Sequence, residues 1–269
     1  MEGEKNEMSF LGHLEELRWH LVRSAAAIFI IGILLFVFQK EVFNHFLLAH
    51  RKSDFITYQI FCDFFNLFGM DSTFCNVAFT DNLISLKPTQ QLMTAIWSSL
   101  ILGIILAFPY LLWELWRFIS PGLTKKEVKS SRGFMFIASF LFFCGIAFSF
   151  YVIAPISIHF LYNYKISDVI QNNFTLESHI GLVTNMLLGV SVLFELPVLV
   201  YFLTKIGLVT PEFLKTYRKH ALVLVLILAA IITPPDVASQ VIVAIPILVL
   251  YEISIKVSRM VIKKQNKDA

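Results

Sequence analysis

The stretch IGLVTNMLLGVSVLFELPVLVYFL, from Ile180 to Leu203, decides the fold class of this chain. It carries a single charged side chain, Glu195, and as an α-helix it is long enough to cross the roughly 30 Å hydrocarbon core of a bilayer. Segments of similar composition recur along the rest of the chain. The sequence therefore predicts an all-α polytopic membrane protein.

The composition of the chain supports this fold class. Of the 269 residues, 57% are hydrophobic and 15% are charged, and the mean hydropathy is +0.72. Soluble domains carry about 25% charged residues, so this chain has too little charge to cover a water-exposed surface. The net charge of +3 and the scattered basic residues exclude a nucleic-acid-binding protein. Three cysteines are too few for a disulfide scaffold.

The apolar segments predict a six-helix membrane domain over residues 1–269. An interfacial helix is expected over 8–20, a long outward loop over 39–87 and a cytoplasmic tail over 256–269. The six predicted spans cover residues 21–38, 91–112, 133–154, 180–203, 219–233 and 237–255.

The basic residues orient these spans. An even number of spans places both ends of the chain on one side of the membrane, and 17 of the 22 Lys and Arg residues fall on that side. Because basic residues concentrate in cytoplasmic loops, both termini are expected in the cytoplasm of a bacterial cell with the chain in its inner membrane.

Glu195 is the charged residue that most needs an explanation. A carboxylate well inside a span costs roughly 2.5–3.5 kcal/mol, and Pro197 is expected to bend the helix two residues later. Glu195 and Pro197 are therefore candidates for an intramembrane contact with a partner or for transport. The alternative is an interhelical hydrogen bond that stabilises the bundle.

Two acids near the amino terminus also stand out. Apolar residues at helical spacing between Phe10 and Leu21 predict a helix at the cytoplasmic interface, where Glu15 and Glu16 would suit a cationic ligand. The alternative is a solvated helix face with a Glu15–Arg18 ion pair.

The chain has none of the motifs of an enzyme or a nucleotide-binding protein. A phosphate-binding glycine loop, a metal-ligand spacing and a nucleophile–base pairing are absent from the sequence, so no catalytic residue, metal or cofactor is predicted. Two other functions remain open: a proton-coupled small-solute transporter that uses Glu195, and a scaffold that assembles other membrane proteins.

Residue types in the loops indicate two further features. Pro234, Pro235 and Asp236 form a tight turn between the last two spans, with Asp236 as the expected N-cap of the last helix. Cys62 and Cys75 lie in the outward loop, and the sequence leaves open whether they form a disulfide or remain free thiols.

Five motifs, in this order, resemble the TatC family, whose members are receptor subunits of the twin-arginine protein translocase. The resemblance covers residues 8 to 258. The motifs are His13-Leu14-Glu15-Glu16-Leu17-Arg18, Leu115-Trp116-Arg117-Phe118-Ile119-Ser120-Pro121-Gly122-Leu123, Phe194-Glu195-Leu196-Pro197, Gly207-Leu208-Val209-Thr210-Pro211 and Ile232-Thr233-Pro234-Pro235-Asp236.

The resemblance implies a glove-shaped bundle of six helices that binds the Arg-Arg signal peptides of folded precursor proteins. It implies recruitment of the single-span partners TatA and TatB, transport driven by the proton-motive force, and a homo-oligomer within a larger complex. It also implies that Glu16 and Glu127 bind the two arginines and that Arg18 is the arginine of the first motif. Lys126 departs from the family, which usually has His at that position.

Overall fold

The structure is a computed structural model that describes residues 10–69, 73–76, 83–120, 125–167, 169, 172–233 and 237–268. Within these ranges the chain is helical, and its only strand-like pairing is an isolated bridge between Ile84 and Thr175. The α-helices are α1 (Phe10–Val37), α2 (Gln39–Val42), α3 (Ile56–Leu67), α4 (Gln90–Ile119), α5 (Lys125–Phe148), α6 (Ala154–Asn163), α7 (Leu176–Phe194), α8 (Leu196–Lys205), α9 (Pro211–Thr216), α10 (Arg218–Ile232) and α11 (Val237–Asp268).

Five helical segments of the described residues are long and apolar enough to cross a membrane. They are Leu14–Val37, Gln90–Ile119, Met135–Asn163, Leu176–Lys205 and Ser239–Gln265. These segments confirm the all-α membrane fold and match five of the six predicted spans. The sixth predicted span, 219–233, corresponds to α10, whose 15 residues fall short of that length, so its crossing remains a prediction.

The ends of several predicted segments differ from the observed helices. The expected interfacial helix over 8–20 is continuous with the first span in α1, because the sequence from His13 to Ile31 contains neither Gly nor Pro to end a helix. Likewise, most of the predicted tail over 256–269 continues α11 as helix as far as Asp268.

The third predicted span also extends beyond its expected end at residue 154. A π-helical turn, Ser149–Ile153, joins α5 to α6, and Pro155 stands in the first turn of α6. Pro155 lacks the amide hydrogen that would bond to the carbonyl of Tyr151 four residues earlier, and the hydroxyl of Thr57 donates to that carbonyl, while the helix continues to Asn163.

Helix α7 forms the centre of the bundle, where it contacts α4, α5, α10 and α11. Its inward face is fully buried and consists mainly of Ile180, Val183, Met186, Leu187 and Val190. The interruption that Pro197 predicts is present, because α7 ends at Phe194 and α8 begins at Leu196. Glu195 is therefore the junction between two helices.

Helix α1 packs along α4, and a glycine pair brings the two helices together. A β-carbon at Gly103 would lie 2.9 Å from the carbonyl oxygen of Ile28 and 3.1 Å from the amide nitrogen of Gly32. Any larger residue at Gly103 would push α1 away from α4, so this glycine sets the position of the amino-terminal helix.

One end of the bundle, which we call the disulfide end, is built from the predicted outward loop. A disulfide joins Cys62 of α3 to Cys75, which settles the question that the sequence left open. The ring of Phe74 stacks on His159 with centroids 4.3 Å apart, and the hydroxyl of Tyr58 donates a hydrogen bond of 2.8 Å to the carbonyl of His50. The Phe74 stack holds the segment tied to α3 by the disulfide against α6, and the Tyr58 hydrogen bond holds α3 to the turn that contains His50.

His50 is buried at the disulfide end. Its Nε2 atom donates to the carbonyl of Phe150 at 2.8 Å, while its Nδ1 atom has no hydrogen-bond partner. Burial lowers the pKa of His50 to about 4, because the charged imidazolium would lose its hydration there. His50 is therefore neutral at physiological pH.

The opposite end, which we call the basic end, gathers the start of α1 and the last turns of α4, α8 and α11. Trp116 of α4 packs against Phe202 of α8, with ring centroids 6.1 Å apart. The hydroxyl of Thr204 donates to Ser258 at 2.9 Å and so joins α8 to α11. Residues that the resemblance singles out, Glu16 and Arg18, lie at this end.

Candidate functional site

Glu16 lies one helical turn before His20 on α1. Its side chain is half-buried, and its Oε2 atom is shielded from water without a hydrogen-bond partner among the described residues. No described side chain forms an ion pair with it. An isolated carboxylate oxygen of this kind is unfavourable, so a donor from a ligand would stabilise it.

The neighbours of Glu16 on α1 point into solvent. Glu15 and Arg18 are both exposed, and the ion pair that the alternative interpretation placed between them is not formed. Glu16 therefore differs from its neighbouring acid in burial.

A buried polar cluster fixes the basic end one turn beyond Glu16. The imidazole Nδ1 of His20 forms a hydrogen bond with Oε2 of Glu114, and the hydroxyl of Tyr110 donates to Oε1 of Glu114 at 2.8 Å. Arg117 approaches the same Oε1 atom at 3.5 Å and lies over the ring of Trp113. The side chain of Glu114 is 1% exposed, and both of its oxygens are occupied.

The sequence did not predict this cluster. The predicted second span ends at residue 112, whereas α4 continues to Ile119. The spacing of Tyr110, Glu114 and Arg117 is that of neighbours on one helix face, and it is the signal that could have revealed the cluster. His20 carried no such signal, because it lies 94 residues away.

The second predicted arginine-binding residue, Glu127, is on α5. Its side chain lies outside the described part of the structure, so its separation from Glu16 remains a prediction. The turn formed by Pro234, Pro235 and Asp236 lies outside the described residues as well.

Glu195 occupies the junction of α7 and α8. Its side chain is half-buried, and both carboxylate oxygens are shielded from water without a hydrogen-bond partner in the part of the chain that the structure describes. Pro197 beside it is buried and lacks an amide hydrogen. The interhelical hydrogen bond of the alternative interpretation is not formed with any described residue.

Metal binding finds no support in the described residues. They contain no group of three or more His, Cys, Asp or Glu side chains placed to hold a metal ion. The chemistry on offer at the candidate sites is therefore that of carboxylate groups that can accept hydrogen bonds.

The chain matches one protein family over most of its length. A family model described as "Sec-independent protein translocase protein (TatC)" matches residues 12–246. The TatC protein of Blattabacterium sp. subsp. Periplaneta americana is 40% identical over 268 residues, covering 98% of this chain and 100% of that protein. TatCy of Bacillus subtilis is 31% identical over 264 residues, covering 98% and 94%.

Solved structures show the same fold. A crystal structure of the twin-arginine translocase receptor TatC has a TM-score of 0.67 and 30% sequence identity, covering 93% of this chain and 99% of that one. A second crystal structure of this receptor, in DDM, has a TM-score of 0.70 and 32% identity, covering 90% and 97%.

Proposed function

Because the chain belongs to the TatC family of Sec-independent protein translocase proteins, we propose that it is the receptor that binds Arg-Arg signal peptides. The family places the chain in the membrane as a multi-pass translocase component. It also confirms that the chain is not an enzyme, because TatC proteins are translocase components. The ligand and the residues that bind it are the parts that we propose beyond family membership.

The observation that carries the proposal is the unpartnered oxygen of Glu16. Arginine has a planar guanidinium group that can donate two parallel hydrogen bonds to one carboxylate, whereas lysine offers a single ammonium group. A free carboxylate at the start of α1 is suited to one arginine of the pair. Glu127, as the second carboxylate, would bind the other, with Arg18 beside Glu16 as part of the same site.

The cluster around Glu114 supports this assignment indirectly. Since His20 holds α1 to α4 through Glu114, the backbone that carries Glu16 is fixed in place before a ligand arrives. A preorganised acceptor loses less conformational freedom on binding than one on a mobile segment. Glu114 itself has no free oxygen left for an arginine.

The binding of labelled signal peptides to the purified full-length chain tests the proposal. Each charge-assisted hydrogen bond contributes about 1.5–3 kcal/mol, so Glu16→Gln should weaken the binding of an Arg-Arg peptide about 10- to 100-fold. Replacement of both arginines of the peptide by lysine should weaken binding to the unmodified chain by a similar factor. Glu15→Gln, a change at the exposed neighbour, is the matched control and should have little effect.

Two results would contradict this model. One is equal affinity for the Arg-Arg and Lys-Lys peptides. The other is a loss of binding in Glu15→Gln as large as in Glu16→Gln. Export of a twin-arginine reporter in cells whose own receptor is replaced by this chain, with and without Glu16→Ala, extends the test to transport.

We propose a separate role for Glu195, which is a contact with a polar group of TatA, TatB or the inserted signal peptide. Both of its oxygens lack partners at a helix junction, where a donor from another chain would relieve the cost of burial. Glu195→Ala should impair the recruitment of partners or export and leave signal-peptide binding intact. Loss of peptide binding with normal recruitment would contradict this role.

The proposed setting is the bacterial inner membrane with both termini in the cytoplasm, which places the basic end on the side where precursor proteins are made. The excess of Lys and Arg in the predicted loops of that side supports this orientation. Reporter fusions at the two termini, one active only in the cytoplasm and one only outside it, test the orientation directly.

A further inference from the structure

Helix α3 at the disulfide end has three distinct faces. The inner face packs on the protein and consists of Thr57, Tyr58, Phe61 and Phe65. The polar face is exposed and consists of Gln59, Asp63 and Asn66. The remaining face, which we call the apolar flank, is exposed as well, and its members are Ile56, Ile60, Phe64, Leu67 and the adjoining Phe68.

The apolar flank is exposed because several contacts hold the inner face of α3, rather than this flank, against the protein. The disulfide ties Cys62 to Cys75, and Phe74 between them stacks on Phe61 from the inner face with centroids 5.2 Å apart. The hydroxyl of Tyr58 is bonded to the carbonyl of His50. These contacts prevent α3 from rolling its apolar flank onto the protein core.

The contacts of α3 place it beside the membrane-facing surface of a span. The hydroxyl of Thr57 donates to the carbonyl of Tyr151, and the ring of Phe55 stacks on the Tyr151 ring with centroids 6.1 Å apart. Tyr151 belongs to the span Met135–Asn163 and is 48% exposed. Tyrosine is enriched at the level where lipid headgroups meet hydrocarbon, so these contacts hold α3 near that level.

We propose that α3 is an interfacial helix that lies in the boundary between headgroups and acyl chains of the leaflet at the disulfide end. Its apolar flank faces the hydrocarbon, and its polar face is directed to headgroups and water. Helices of this kind bury their apolar face about 5–10 Å into that boundary. Since α3 contains no Lys or Arg, its attachment rests on apolar area and does not require anionic lipid.

Spin labels on the full-length chain in lipid nanodiscs test the proposal. Single cysteines are introduced as Ile60→Cys and Phe64→Cys on the apolar flank and as Gln59→Cys and Asp63→Cys on the polar face. All four variants carry Cys144→Ser and keep the oxidised disulfide. The measurement is the accessibility of each label to oxygen, which partitions into hydrocarbon, and to a water-soluble nickel chelate.

The proposal expects an oxygen-to-nickel accessibility ratio several-fold higher at residues 60 and 64 than at residues 59 and 63. It also expects the same pattern in nanodiscs of phosphatidylcholine alone and with added phosphatidylglycerol. Equal ratios at the four sites would overturn it, because α3 would then be surrounded by water. Low accessibility to both reagents at residues 60 and 64 would also overturn it, because a protein surface would then cover the flank.

Discussion

Glu114 and Glu195 are both acids on long apolar helices, but their surroundings differ completely. The carboxylate of Glu114 has partners on both oxygens, from His20 on one side and from Tyr110 and Arg117 on the other. The carboxylate of Glu195 has no partner on either oxygen among the residues that the structure describes. Removing a partner from a buried acid whose hydrogen-bonding capacity is filled destabilises the fold, whereas a buried acid without partners can accept hydrogen bonds from another molecule.

His50 at the disulfide end lies between these extremes. One ring nitrogen donates to the carbonyl of Phe150, and the other has no partner. The three residues therefore form a series of decreasing hydrogen-bond satisfaction: Glu114, His50 and Glu195. The stability of the chain should depend on them in that order.

The largest loss of stability is expected from removing a hydrogen-bond partner of Glu114. His20→Ala would leave the buried Oε2 atom of Glu114 without a partner, while Tyr110 and Arg117 stay at Oε1. The expected cost is about 3 kcal/mol, the lower end for breaking a buried ion pair. The free energy of unfolding of the purified chain in mixed micelles with increasing denaturant measures this loss. Trp19→Ala is the control, because Trp19 is the adjacent residue on α1 and is 56% exposed.

A double variant sharpens this test. When His20 and Glu114 are both replaced by Leu, no charge is left uncompensated, and part of the lost stability should return. If His20→Ala costs no more than Trp19→Ala, the pair does not hold α1 to α4, and the preorganisation of Glu16 loses its basis.

The pairing of His20 with Glu114 also marks the limit of what the sequence could predict. The spans and the break at Pro197 follow from hydropathy and from the missing amide hydrogen of proline, which are properties of single residues and their close neighbours. Contacts between helices depend on how the helices pack, for example on the close approach at Gly103, and no local pattern encodes that register.

The candidate functional site could likewise be predicted only in part from the sequence. The sequence identified Glu16 and Glu195 as acids in unexpected places, but the absence of partners, which distinguishes them from Glu114, became visible only in the packed bundle. The disulfide between Cys62 and Cys75 was undecided in the sequence for the same reason, because its formation requires a fold that brings the two residues together.

Because His50 is buried, the unfolding free energy of the chain should depend on pH. Burial lowers the pKa of His50 from 6.5 to about 4, so between these values the unfolded chain binds a proton that the folded chain does not. The stabilising effect of neutral His50 is complete above pH 6.5 and is lost as the pH falls toward 4. The expected loss is about 3 kcal/mol, measured as the difference in unfolding free energy between pH 7 and pH 4.

The contribution of His50 is isolated by the comparison with His50→Phe. This variant keeps an aromatic ring beside Phe55 and Phe150 but has no group that titrates. Its stability should change less between pH 7 and pH 4 than that of the unmodified chain. Identical pH profiles for the two proteins would show that His50 is not buried in the neutral form.

A smaller loss of stability is expected from removing the Tyr110 hydroxyl, which shares Oε1 of Glu114 with Arg117. Tyr110→Phe deletes the hydroxyl that donates to Oε1 at 2.8 Å but leaves Arg117 near the same atom. The expected cost is about 1.5 kcal/mol in unfolding free energy, the lower end for a hydrogen bond to a charged group. Tyr164→Phe, which removes the hydroxyl of an exposed tyrosine, is the control. A loss as large as that in His20→Ala would mean that Arg117 offers Glu114 no compensation.

The smallest change in stability is expected from a substitution of Glu195, although that substitution should have a large effect on export. Glu195→Gln keeps the shape of the side chain and removes no hydrogen bond, because the carboxylate of Glu195 makes none with the described residues. The unfolding free energy of the isolated chain should change by less than about 0.5 kcal/mol or rise slightly, since a neutral amide is less costly to bury than a carboxylate. A loss of several kcal/mol would show that Glu195 has a structural partner within the chain. Its role would then match that of Glu114, and the contrast between the two acids would disappear.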